Sequence, residues 1–349
     1  MPYTVVDKAS LYFNTVLYTG DGTNSKAITG VGFQPDWLWI KIRAGSAQEH
    51  VLVDAVRGAT KSLESETTDA EETTSNTVAS LNSDGFTLGT TPRNRVNQSA
   101  STYASWNWKA NGTGSSNTAG TITSTVSANT TSGFSIVSWT TPASGNFTVG
   151  HGLGVTPSMV IIKVTTQTGD WWVYHKGLGV NTTDYLSLNQ TIAESSATSM
   201  WGSTGMTSTL CGFGAGVSAY SNNPMIAYCF AEIKGYSKFG SYTGNGSADG
   251  TYVHLGFRPA FVVIKRSDTS GYGWYMFDNK RNTFNPEDKI LETQSSTAEY
   301  TGTVMDFTSN GFKLRNSGSD VNPSGGTIIY MAFADQPFVS SKGIVANAR

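Results

Sequence analysis

The stretch Gly32-Phe33-Gln34-Pro35-Asp36-Trp37-Leu38-Trp39-Ile40-Lys41-Ile42 returns as Gly154-Val155-Thr156-Pro157-Ser158-Met159-Val160-Ile161-Ile162-Lys163. It returns again as Gly256-Phe257-Arg258-Pro259-Ala260-Phe261-Val262-Val263-Ile264-Lys265. Each is a Gly-x-x-Pro turn that runs into an apolar strand with a lysine near its end. Proline presets φ for the turn, and the aromatic and β-branched residues that follow suit a pleated strand.

Other landmarks recur around this one in constant order. A second strand follows each proline: Val51-Leu52-Val53-Asp54, Trp172-Val173-Tyr174-His175 and Tyr275-Met276-Phe277-Asp278. A Gly-Phe turn comes next at Gly85-Phe86, Gly212-Phe213 and Gly311-Phe312. The closing strands are 103–110, 226–231 and 328–334, and an opening strand runs from Phe13, Phe134 and Phe239 toward a glycine turn. Matching landmarks in matching order mark an internal repeat. Copies are expected over 10–112, 130–233 and 236–338, each about the length of a small β-sandwich. Residues 1–9 are an N-terminal arm, the Ser/Thr/Gly-rich stretch 113–129 reads as a linker, and 339–349 as a frayed tail.

The local chemistry is that of strands. Val, Ile, Trp, Tyr and Phe alternate with Ser, Thr and Asn, bounded by Asp-Gly, Asn-Gly and Ser-Gly pairs that supply the positive φ of tight hairpins. The expected class is all-β, with three tandem antiparallel β-sandwich modules of jelly-roll type. Of the 349 residues, 14% are charged, and 23 basic residues stand against 25 acidic ones. Such a balance argues against nucleic acid as a partner, because phosphate binding needs a basic surface. No apolar run is long enough to suggest membrane insertion. No basic n-region and apolar h-region open the chain, so no export signal is read.

The residues that could carry chemistry are few. Asp54-x-x-Arg57 matches Asp278-x-x-Arg281, whereas the second copy has His175 and Leu178 there. Two copies and a blank suit a structural ion pair (Asp54 with Arg57, Asp278 with Arg281) better than a catalytic dyad. The alternative makes Arg57 and Arg281 ligand contacts. Among nine tryptophans, Trp172 and Trp201 are the candidates for stacking on a sugar. Trp172 must point opposite to Trp171, and Trp201 lies in a Ser/Gly/Thr-rich stretch. The dense acidic run 64–72 reads as a solvated loop. Cys211 and Cys229 read as buried thiols, with a disulfide as the alternative if their Cα atoms lie within about 7 Å. No metal or cofactor is expected: CxxC and paired-histidine patterns are missing.

The combined pattern of Gly-Phe-x-Pro-x-apolar-x-Ile-Lys, Trp/Tyr-x-x-Asp-x-x-Arg, Ser-x-Gly-Phe-x-Leu and an aromatic-Ala-Phe-Ala strand resembles an uncharacterised repeat-domain family. That family occurs in tail-fibre-like and other virion structural proteins of marine bacteriophages, cyanophages in particular. It looks like the concanavalin/SPRY class of β-sandwiches. The resemblance spans about 10–338 and carries over no catalytic residue; the second copy departs from it at His175 and Leu178. It implies a non-enzymatic virion protein of a tailed phage, a surface-exposed tail fibre or a capsid or tail decoration that contributes to host attachment. The expected partners are other virion proteins, further copies of the chain (a homotrimer above all) and a host surface glycan. The rivals are a carbohydrate-binding module without a virion role and, behind it, a polysaccharide depolymerase. The latter needs two carboxylates in a groove, and carboxylates are sparse here.

Overall fold

A computed structural model describes residues 4–90 and 94–337, together with Val339, Gly343 and Val345; the expectation of a frayed tail otherwise lies outside the described residues. The protein is all-β and antiparallel. In the first copy the strands Phe13–Thr19, Thr102–Trp108, Trp37–Ala44 and Val51–Asp54 lie side by side in that order. The second copy repeats the order with Phe134–Thr140, Pro224–Phe230, Met159–Val164 and Trp172–His175. The third does so with Ser237–Thr243, Thr327–Pro337, Phe257–Arg266 and Trp274–Asp278. Register is shared too: Trp37 sits opposite Trp108, Met159 opposite Phe230 and Phe261 opposite Phe333. The Gly-Phe strands Gly85–Leu88, Leu210–Phe213 and Gly311–Leu314 pair with Ala27–Thr29, Phe147–Gly150 and Tyr252–His254 to build the outer layer of each copy. In the third copy the layers are continuous, and one eight-stranded sheet curls from inner to outer face.

Alternation along the post-proline strands explains why they read as unbroken apolar runs. Successive side chains point to opposite faces, and here both faces are buried. Leu38, Ile40 and Ile42 fill the first copy's own sandwich, and Val160, Ile162 and Val164 fill the second's. Trp37 and Trp39, Met159 and Ile161, and Phe261 and Val263 instead enter one core common to all three copies. At its centre Trp108, Phe230 and Phe333, equivalent residues of the three closing strands, form a triangle. Their ring centroids are 6.4, 5.8 and 5.9 Å apart. The copies are thus not beads on a string; their inner sheets face one another around a pseudo-threefold axis.

The stretch 113–129 is not a linker. Ser115–Asn117 and Ser124–Asn129 are strands that extend the second copy's sheet beyond Phe134–Thr140. Val126 dips into the core, and Ser124 Oγ donates to the Gly150 carbonyl at 3.0 Å. The edge strand Ser115–Asn117 mostly faces water, and Ser124–Asn129 fills its buried positions with two serines and one valine, which is why composition misread the stretch. The arm is likewise packed: Val6 and Ala9 are buried in the common core.

Candidate functional sites at the seams and on the second copy

The repeated lysine defines the contacts between copies. Lys41, Lys163 and Lys265 are fully buried. Lys163 Nζ donates to the Thr68 carbonyl of the first copy at 3.0 Å, and Lys41 Nζ to the Ser296 carbonyl of the third at 2.7 Å. Lys265 Nζ makes a longer contact of 3.5 Å with the Thr191 carbonyl of the second, and a bond of 2.6 Å to Tyr272 within its own copy. Each copy therefore reaches into the preceding one, and the first reaches into the third. Burial lowers all three ammonium groups to about 8.

A second set of contacts follows the same cycle. Trp171 Nε1 donates to the Glu64 carbonyl at 2.8 Å and Trp274 Nε1 to that of Ser187 at 2.9 Å. His50, in the equivalent place, donates from Nε2 to that of Glu292 at 2.9 Å. The His50 proton sits on Nε2 because Nδ1 accepts from Trp39 Nε1. Each acceptor precedes a lysine-bound carbonyl by four positions: Glu64 and Thr68, Ser187 and Thr191, Glu292 and Ser296.

The Asp-x-x-Arg pairs stand at these seams. Arg57 Nε lies 2.6 Å from Asp54 Oδ2, and Arg281 Nε 2.5 Å from Asp278 Oδ2. Each aspartate also accepts backbone N–H groups of the turn that carries its arginine. Across the seams, Tyr228 Oη donates to Asp54 at 2.9 Å and Trp106 Nε1 to Asp278 at 3.0 Å. In the second copy His175, lowered to about 4 by burial, donates from Nε2 to the Tyr330 carbonyl at 3.0 Å instead, and Leu178 is buried in the common core. The place that looks blank in the sequence holds a different bond across the same kind of seam. Arg57 and Arg281 are enclosed, with side-chain exposures of 6% and 0%, so their guanidinium groups are closed off from solvent.

The acidic run 64–72 is not a freely solvated loop. Glu71 pairs with Arg57, Glu64 and Glu72 pair with Arg95, and the backbone of Thr68 and Glu71 bonds to Gly169 and Thr165 of the second copy. Sequence reasoning missed this role; the signal was there in the recurrence of a lysine at one register position of every copy.

Trp172 is half-buried with its ring 5.2 Å from that of Tyr220, so part of its face meets solvent. Trp201, expected as an exposed platform, is buried, and its Nε1 donates to the Asp184 carbonyl at 2.8 Å. Cys211 and Cys229 carry free thiols whose sulfurs are 4.0 Å apart across the second copy's sandwich, so the disulfide is not formed. Among the described residues no group of three or more His, Cys, Asp or Glu could hold a metal ion, and no helix is long and apolar enough to cross a membrane.

The second copy differs from the others on its outer face. In the first and third copies a further strand, Val78–Asn82 or Tyr300–Thr308, pairs with the Gly-Phe strand. In the second, the chain before Leu210–Phe213 makes only an isolated bridge, Met206 to Cys211. Two adjoining recesses of about 130 and 300 Å³ lie beside this segment, sharing Asn146, Gly202 and Ser203.

Fold and seams together define a class: a closed unit of three quasi-equivalent β-sandwiches in one chain. The chain belongs to the DUF7483 family, a domain of unknown function whose model matches residues 8–337. The matched span takes in all three copies. No curated protein matches the chain.

Proposed function

We propose that this protein is a non-catalytic display unit on the surface of a tailed-phage particle, a fibre or decoration component whose stiff body holds loops for host attachment. The observation that carries the reading is the cyclic set of seams. The conspicuous charged residues, Asp54 and Arg57, Asp278 and Arg281, and the three lysines, are used to join one copy to the next. Side chains buried in mutual contacts supply rigidity, and loops on a rigid β scaffold are where recognition residues can vary. Three copies in one chain already close a threefold unit, which suits a body that attaches through its rim to other virion proteins. Resemblance to marine phage virion proteins supports the particle as the setting. Mass spectrometry of purified particles from the source phage tests the reading: the chain is expected at structural stoichiometry, and its absence from particles would falsify the assignment.

A further inference from the structure

We infer that the groove on the outer face of the second copy binds a neutral glycan. The site is built where this copy abandons the repeat. The contacts that hold the segment replacing the missing strand include the Trp201 indole on Asp184, Gly205 N–H on the Trp201 carbonyl at 3.1 Å, Gly212 N–H on the Gly205 carbonyl at 2.8 Å and Met206 N–H on Asn181 Oδ1 at 3.2 Å. Gly202 lies at φ +60, where a Cβ would meet the Phe213 carbonyl at 2.9 Å, so the segment passes close over the strand below. The groove is preformed, and ordering it on binding costs little.

Its chemistry selects the ligand. None of the described residues lining the two recesses is charged. Phe147 and Phe213, buried with centroids 5.3 Å apart, lie under the smaller recess. Asn146, Thr182, Thr198, Ser203 and Thr204 supply amide and hydroxyl groups around it. An anionic ligand would call for Lys or Arg, and a wholly apolar one for an enclosed apolar cavity. Uncharged hydroxyls and amides that both donate and accept match a ligand carrying the same kind of groups, the hydroxyls of a neutral sugar. The larger recess falls at the lower end of ligand-pocket sizes, room for a short sugar segment.

The inference deepens the display reading by naming what the displayed surface meets, and its test is separate. The purified full chain is applied to an array of neutral and uronic-acid-containing or sialylated glycans, and hits are titrated calorimetrically. Neutral glycans are expected to bind. Ser203→Trp, which fills the groove from an exposed position, is expected to weaken binding at least tenfold with an unchanged Tm. Asn146→Ala gives an independent loss of affinity if the tryptophan disturbs folding. Trp172→Ala, outside the groove, should leave affinity unchanged. Binding that survives both groove variants, a preference for acidic glycans, or no binding to any glycan overturns the inference. The particle assignment stands or falls on mass spectrometry alone.

Discussion

Lys163 Nζ donates a 3.0 Å hydrogen bond to the carbonyl of Thr68, 95 positions earlier in the chain and in a different copy of the repeat. An ammonium group taken out of water is stabilised only by the partners it finds, and here the partner belongs to the neighbouring sandwich. Lys163→Ala is expected to lower stability by about 2–4 kcal/mol, because it removes the bond and leaves a void. Lys163→Met keeps the volume and removes the desolvated charge, so its cost should stay within about 1 kcal/mol. Urea denaturation of both variants checks the order; a methionine variant as damaged as the alanine one would show that the charge itself holds the seam.

Alkaline pH should stabilise the protein. Burial places Lys41, Lys163 and Lys265 at about 8 in the folded state, against 10.5 for a free lysine. Between those values the unfolded chain holds more protons than the folded one, so stability rises with pH. Cys211, held up by its Cys229 neighbour and by burial, opposes the rise above about 9, and the buried Tyr18, Tyr228 and Tyr236 oppose it above 10. Tm is expected to be higher at pH 9 than at pH 7.5. The gain should disappear when all three lysines are methionine, and an equal Tm at the two pH values in the native chain refutes the account.

Asp278→Asn should cost about 3–5 kcal/mol, since it leaves the buried Arg281 guanidinium without its nearest counter-charge. Asp278 also accepts from Trp106 of the first copy, so the indole environment changes with it. A shift in tryptophan fluorescence at constant secondary structure is the expected signature. Unchanged fluorescence and an unchanged denaturation midpoint would contradict the seam role.

A single copy should not fold alone. The fragment 130–233 would expose Phe134, Ile136, Met159, Ile161, Tyr228 and Phe230, all buried in the common core of the intact chain. Phe230→Ala in the full chain removes one corner of the central triangle and should cost about 3–5 kcal/mol. The intact protein should melt in one calorimetric transition. A well-folded monomeric fragment, or three separate transitions, would show that the copies are independent.

Thiol labelling should be silent in the native state. Cys211 and Cys229 are buried and unbridged, and Cys211 is held in its protonated form. Only the thiolate reacts. Two thiols are expected to react with an aromatic disulfide reagent after denaturation and none before it, and rapid labelling of the native chain would contradict their enclosure.

Much of the local structure was legible in the chain. The Gly-x-x-Pro turns, the Gly-Phe hairpins and the aromatic strands show their conformations through residue type alone, and self-comparison reveals that they recur. The Asp-x-x-Arg pairs were legible for the same reason, since two residues three positions apart on one turn meet whatever surrounds them. The seam partners were not: Thr68, Thr191 and Ser296 offer backbone carbonyls, and a carbonyl has no residue signature. Trp201 was misread because Ser, Gly and Thr around it suggest exposure, while its burial follows from the segment folding back over Phe213. The 113–129 strands escaped notice because strands rich in Ser, Thr and Asn share a composition with a linker.

Residue chemistry set the strands, their turns and the existence of three like units, because those depend on φ/ψ preferences and on alternation over a few neighbouring positions. Packing settled how the units close on one another, which lysine meets which carbonyl, and where the second copy opens a groove. Those outcomes depend on surfaces brought together across about a hundred residues, a separation over which composition and periodicity carry no directional information.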